Sequence, residues 1–232
     1  MTRTIFDERI KDHQDTARLI AEMVAQAMLN AVKALEAQDI VTAKKVYAGD
    51  QAINEKCLKL EEAIILTIST QQPVAKDIRL LTSLLEINTE LERMGDYAKG
   101  IARIAVKTAK EAHMLKFFDI PRMATLVTRM LKNAIESFVN EDAELAELVY
   151  QSDDQVDALY QQTERVLFTY MLSDPTKIDS ANMLLWAAHN LERMGDRVTN
   201  ICERTIYVVT GEMQELWGAN DELLDLVNPK EE

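Results

Sequence analysis

The hexamer Leu91-Glu92-Arg93-Met94-Gly95-Asp96 recurs letter for letter as Leu191-Glu192-Arg193-Met194-Gly195-Asp196. Each copy sets a glutamate and an aspartate four residues apart. On an α-helix such residues lie one above the other, with Cβ atoms ~5–6 Å apart, so each pair forms a two-pronged acidic clamp. Asp153 and Asp157 have the same spacing, and their counterpart in the first half of the chain is Asp50 with Asn54. Where two clamps face each other from adjacent helices, the carboxylates converge with no neutralising base in the same constellation. Like charges so placed repel unless they are protonated or bridged by cations. All-oxygen ligation suits hard cations such as Mg²⁺, Ca²⁺, Mn²⁺ or oxidised iron.

A lone Glu-x-x-x-Asp is common on solvated helix faces, and Arg93 and Arg193 could satisfy the acids through local ion pairs of little worth when exposed. Three features favour a cation. The clamps are duplicated, and Asp50 and Asp153 fall on otherwise apolar helix seams, where a carboxylate is costly without a partner. Gly95 and Gly195 also sit inside helical segments, where glycine costs ~1 kcal/mol relative to alanine. Close approach of a second helix or an ion explains such glycines; tight helix packing is the plainer account. The two halves differ: the second offers Asp153, Asp157, Glu192 and Asp196, with Asn200 and Glu203 as further oxygen donors. The first offers Asp50, Glu92 and Asp96, with Asn54 in place of a carboxylate and Gly100 and Arg103 where Asn200 and Glu203 stand. A metal is expected to prefer the second site.

The elements that carry these residues are helices. Only four prolines and six glycines accompany many Ala, Leu, Glu, Lys and Met, a composition of helix formers. Apolar residues at alternating steps of three and four predict a helix over about Thr4–Gln38, with seam Ile10, Ala17, Ile20, Val24, Ala27, Ala31 and Leu35. A second is predicted over about Ile40–Thr70, through Ala43, Val46, Ile53, Cys57, Leu60 and Ile64, and ends before Pro73. A third covers about Val74–Lys110, through Leu81, Leu84, Leu91, Ala98, Ala102 and Ala105. The plan repeats over about Arg122–Asn140, with Pro121 in the first turn, then Ala143–Leu172 and Ile178–Thr210, with Gly211 as C-cap. The fold class is therefore all-α: two tandem pseudo-symmetric three-helix bundles built from six long helices. Residues 1–111 form the first repeat, 112–211 the second and 212–232 an acidic, loosely attached tail. The units meet near Ala112–Ile120. Helices of thirty or so residues run ~45 Å.

A net charge of −13 disfavours nucleic-acid binding, which needs a basic surface, and most of the excess acid serves solubility. No apolar stretch suits a signal peptide or a membrane span, so a soluble, unexported, cytoplasmic protein is expected. Cys57 and Cys202 read as two buried free thiols. His13, His113 and His189 are scattered, and none follows a Glu by three residues, unlike helical di-iron enzymes. Trp186 reads as core, and Trp217 as a tail residue that docks back on the bundle.

The sequence resembles the PhoU family over nearly its whole length, to about residue 215. The resemblance is carried by Thr2-Arg3-Thr4 with Phe6, by Gln72-Pro73-Val74-Ala75-Lys76-Asp77-Ile78-Arg79-Leu80, and by both hexamers. Asn200-Ile201-Cys202-Glu203-Arg204 and Val209-Thr210-Gly211-Glu212 extend it. It implies a non-enzymatic cytoplasmic negative regulator that couples a phosphate ABC transporter ATPase to a sensor histidine kinase and reaches the membrane only through those partners. It also implies metal held by Asp50 with Asn54, Glu92 with Asp96, Asp153 with Asp157, and Glu192 with Asp196. Iron leads among the cations, with zinc, manganese, magnesium and calcium as further candidates. Homodimerisation is common in the family. Two readings compete with this one: a carboxylate-bridged helical metalloenzyme, and a metal-free helical scaffold.

Overall fold

The computed structural model describes residues 3–109 and 119–213 of the chain. Helix α1 spans Arg3–Ala37, α2 Ile40–Gln71 and α3 Ala75–Thr108. The second unit has α4 over Ile120–Val139, α5 over Ala143–Gln151, α6 over Asp153–Ser173 and α7 over Ile178–Thr210, with a 3₁₀ turn at Pro175–Lys177. No strand occurs among the described residues.

The duplication reaches the backbone. Gln38 and Glu141 both adopt positive φ, 53° and 51°, in the turn after the first helix of each unit. The next residue is in each case an N-cap aspartate. Asp39 accepts hydrogen bonds from the Val41 and Thr42 amides, and Asp142 accepts one from the Leu145 amide. Such caps satisfy first-turn N–H groups that have no partner within the helix. Gly211 closes α7 at φ 80°, a left-handed conformation that suits a residue without Cβ.

The apolar seams face inward. Every α2 and α3 seam residue named above is buried, as are Ile20, Val24, Ala31 and Leu35 of α1. Both Leu91 and Leu191, which open the hexamers, are fully buried. Helices α1, α2 and α3 pack together, as do α4, α5, α6 and α7, while α3 against α7 and α1 against α4 join the units. Helix α3 runs antiparallel to α7: Glu86 meets Arg204, Glu90 meets Arg197 and Asn200, and Gly100 meets Asn190. The hexamers therefore lie near the pseudo-twofold axis that relates the units. A Cβ on Gly100 would lie 3.0 Å from Asn190 Nδ2, so close helix approach explains this glycine.

Three expectations need correction or lie out of reach. The helix expected over Ala143–Leu172 is interrupted at Ser152, whose amide bonds Val149 O and whose hydroxyl donates to Leu148 O. These short-range bonds tighten the backbone by one turn just before Asp153. Trp186 is not core but 55% exposed, because the buried seam of α7 runs through Ala181, Leu184, Ala188 and Leu191 on another face. Residues 110–118 and 214–232, which include His113, most of the expected junction, Trp217 and nearly all of the acidic tail, lie outside the described residues. No helix among the described residues is long and apolar enough to cross a membrane. Cys57 and Cys202 are buried free thiols, as expected.

Candidate metal centre

In the second unit the break at Ser152 places Asp153 as the first residue of α6, with Asp157 one turn on. Across from them, α7 presents Glu192 and Asp196. The two helices touch closely: a Cβ on Gly195 would lie 2.5 Å from Asp153 Oδ1 and 3.6 Å from Val156 Cγ1. The glycine is needed because the carboxylate of Asp153 rests against the α7 backbone. Asp153 Oδ1 is buried with no hydrogen-bond partner among the described residues. A carboxylate oxygen in that state calls for a proton or a cation.

The electrostatics agree. Burial, then the charges of Asp157, Asp196, Glu192 and Asp154, push the Asp153 carboxyl up to about 8. Burial, Asp196 and Asp157 push Glu192 up to about 7, with Arg193 opposing. Asp157 is raised by burial, Asp196 and Asp154. Asp196 is the best neutralised of the four, since Arg193 Nη1 donates to its Oδ2 at 3.1 Å. Arg193 also bonds Tyr97 of the first unit. Glu192 Oε2 lies 3.3 Å from His189 Nδ1 yet is not aligned with any hydrogen-bond donor. His189 is flanked by Tyr160 and Trp186, with ring centroids at 5.9 and 6.0 Å.

Asn200 and Glu203 are placed differently from the core four. The Asn200 amide donates to Glu90 Oε1 of α3 at 3.2 Å, so it serves the joint between units. Glu203 lies among Tyr150 and Cys202, raising both, and its charge does not figure in the shifts of Asp153 or Glu192. The four carboxylates thus influence one another strongly, but among the described residues no three Asp, Glu, His or Cys side chains are gathered into a finished coordination shell. Asp153 Oδ1 and Glu192 Oε2 are the buried oxygens left without a hydrogen-bond partner, and carboxylate oxygens are the donor type that hard cations take.

The first unit is built alike and neutralised otherwise. Asp50 is 4% exposed, and Lys99 Nζ donates to its Oδ2 at 2.6 Å. Lys99 also lies 3.7 Å from Asp96 Oδ1 and 5.5 Å from the Tyr47 ring centroid. Asn54 Nδ2 donates to the same Asp50 oxygen at 3.3 Å. Glu92 is raised by burial, Asp96 and Asp50, with Arg93 and Lys99 opposing. A Cβ on Gly95 would meet Ile53 Cγ2 at 3.3 Å and Asp50 Oδ1 at 3.5 Å. The expected absence of a base from the constellation is therefore wrong for this unit, and also for the second, where Arg193 pairs with Asp196. Lys99, not Arg93, is the base that reaches Asp50. Aligning the hexamers sets Lys99 against Thr199, which marks the asymmetry in the sequence but not the reach of the ammonium.

These features define a class: tandem three-helix units, antiparallel across a pseudo-twofold axis, each with an acidic cleft between its second and third helical segments. A family model described as the PhoU domain matches residues 17–105 and again 120–205. The chain is 33% identical over 217 residues, 93% of its length and 99% of the relative, to the "Phosphate-specific transport system accessory protein PhoU homolog" of Clostridium acetobutylicum. It is 32% identical over 207 residues to the "Phosphate-specific transport system accessory protein PhoU" of Escherichia coli K12, covering 89% of this chain and 86% of that one. The crystal structure of PhoU from Pseudomonas aeruginosa superposes with a TM-score of 0.84 at 33% identity, covering 89% of this chain and 100% of that one. The chain belongs to the PhoU family.

Proposed function

We propose that this chain is a non-enzymatic cytoplasmic regulator of phosphate uptake and phosphate-starvation signalling. It acts as an adaptor between a phosphate ABC transporter ATPase and a sensor histidine kinase. The observation that carries this reading is the family match over both repeats, together with relatives named as accessory proteins of phosphate-specific transport. Partner identity and homodimer formation are expected from the same kinship.

A hard cation in the second unit is the second part of the proposal. Asp153 and Glu192 would hold it, with Asp157 and Asp196 completing the set. The support is the buried, unpartnered Asp153 Oδ1 against Gly195 and the upward-shifted carboxyls around it. When bound, the ion would supply the positive charge that lets all four acids ionise together. The chain's own residues then fix how α6 sits on α7, and hence the shape offered to a partner. The Arg193–Asp196 ion pair favours the competing reading of a metal-free scaffold.

Deleting the gene and following a phosphate-starvation promoter at high phosphate tests the regulatory role. Expression should rise on deletion and fall again on complementation with the wild-type chain. An unaltered response contradicts the role.

A further inference from the structure

We infer that the first unit carries a tethered cation of its own, the Lys99 ammonium, which fills the seat a metal would take and restricts this chain to a cation in the second unit. The inference rests on the reading that the second unit binds a hard cation, and it deepens that reading by naming what sets the selectivity.

The Lys99 ammonium bridges carboxylates from two helices. It lies 2.6 Å from Asp50 Oδ2 on α2 and 3.7 Å from Asp96 Oδ1 on α3, the arrangement expected of a bridging ion. The seat itself is built. Asp50 is 4% exposed, and its Oδ1 is buried and unpartnered beside Gly95 of α3, so an acceptor oxygen remains unused there. Asn54 points an N–H at the same carboxylate, and its buried, unpartnered Oδ1 brings no negative charge where the second unit has the Asp157 carboxylate. Charge points the same way. In the first unit Asp50, Glu92 and Asp96 face Lys99 and Arg93, which leaves one negative charge unbalanced. In the second, Asp153, Asp157, Glu192 and Asp196 face Arg193, which leaves three. A metal entering the first unit would have to displace a covalently attached ammonium whose local concentration never falls. The first unit thus carries most of its counter-charge at all times, whereas the second depends on what the cell supplies.

Equilibrium dialysis of the full-length chain with Mn²⁺ tests this on four proteins: wild type, Glu192→Ala/Asp196→Ala, Asn54→Asp/Lys99→Thr, and the combination of all four changes. Wild type should lose its Mn²⁺ on Glu192→Ala/Asp196→Ala, and the four-fold variant should regain binding at least tenfold tighter than that double variant. If the four-fold variant binds Mn²⁺ no more tightly than Glu192→Ala/Asp196→Ala, Lys99 excludes nothing and the inference is overturned. Mn²⁺ bound by Asn54→Asp/Lys99→Thr but not by wild type sinks the second-unit reading and upholds the role of Lys99. No binding by any of the four overturns both. A separate readout guards against misfolding. In EDTA, Lys99→Met should lower Tm by roughly 3 °C or more while Lys99→Arg holds it. An unchanged Tm for Lys99→Met also overturns the inference.

Discussion

In the first unit a buried aspartate meets an ammonium; in the second, the aspartate at the same place meets three other acids. Asp50 and Asp153 occupy matched positions, oppose matched hexamers and rest against matched glycines. The difference comes from one residue beyond the hexamer, Lys99 against Thr199, and one in the clamp, Asn54 against Asp157. A duplicated scaffold can therefore keep its packing while its two clefts adopt opposite electrostatic solutions. Burying like charges together costs far more than burying a matched pair, so the two clefts should respond to perturbation with opposite signs.

Neutralising the matched aspartates breaks or sharpens this contrast most strongly. Asp50→Asn removes a charged hydrogen-bond partner and should destabilise the metal-free chain by about 1–3 kcal/mol. Asp153→Asn relieves a half-buried carboxylate that repels its neighbours and should stabilise the metal-free chain at pH 8 by about 1–3 kcal/mol. Urea denaturation in EDTA measures both, and equal signs would break the comparison.

The second contrast lies in pH. Asp153 and Glu192 have folded-state values near 8 and 7, above their ordinary values of 3.8 and 4.5. Between about pH 4 and 8 the folded state retains protons that the unfolded chain has released. The unfolded state then binds fewer protons, so stability falls as pH rises through that window and levels off above it, by at most about 1.4 kcal/mol per pH unit per group. Chemical denaturation of the metal-free chain at several pH values should show this decline. Asp153→Asn/Glu192→Gln should remove most of it, whereas Asp50→Asn should leave it in place.

The glycines give the smallest contrast. In Gly195→Ala the new methyl forces the Asp153 carboxylate aside while alanine favours the helix by ~1 kcal/mol, so stability should change little. Mn²⁺ affinity should fall about tenfold, ~1.4 kcal/mol. In Gly95→Ala the new methyl lies 3.3 Å from Ile53 Cγ2, so that side chain must give by a few tenths of an ångström, but Mn²⁺ affinity should stay unchanged. Dialysis of the two variants side by side decides it.

Most of the fold is legible in the sequence because apolar spacing and punctuation act locally. The seams through Ile53, Cys57 and Leu60 or Leu84 and Leu91 need only helical periodicity to be read, and Pro73 and Gly211 mark ends by their own backbone chemistry. The interruption at Ser152 was hidden because nothing in the Val149–Val156 periodicity breaks; a hydroxyl bonding back to Leu148 is as compatible with continuous helix. The size of Trp186 suggests burial, whereas its phase on α7 puts it on the exposed face. At the site, the clamp residues and the close approach at Gly195 follow from spacing and repetition. The reach of Lys99 to Asp50 does not, since it depends on how α3 is rotated against α2. Nor does the turn of Asn200 toward Glu90, which depends on how the two units meet across their pseudo-twofold axis.

Elemental analysis of the purified native chain beside Glu192→Ala/Asp196→Ala addresses the central claim most directly. Near-stoichiometric metal in the native protein, lost in the variant while helical content by circular dichroism is kept, is the predicted result. Metal content that is equal in the two proteins, or absent from native protein grown with ample iron and manganese, would contradict it.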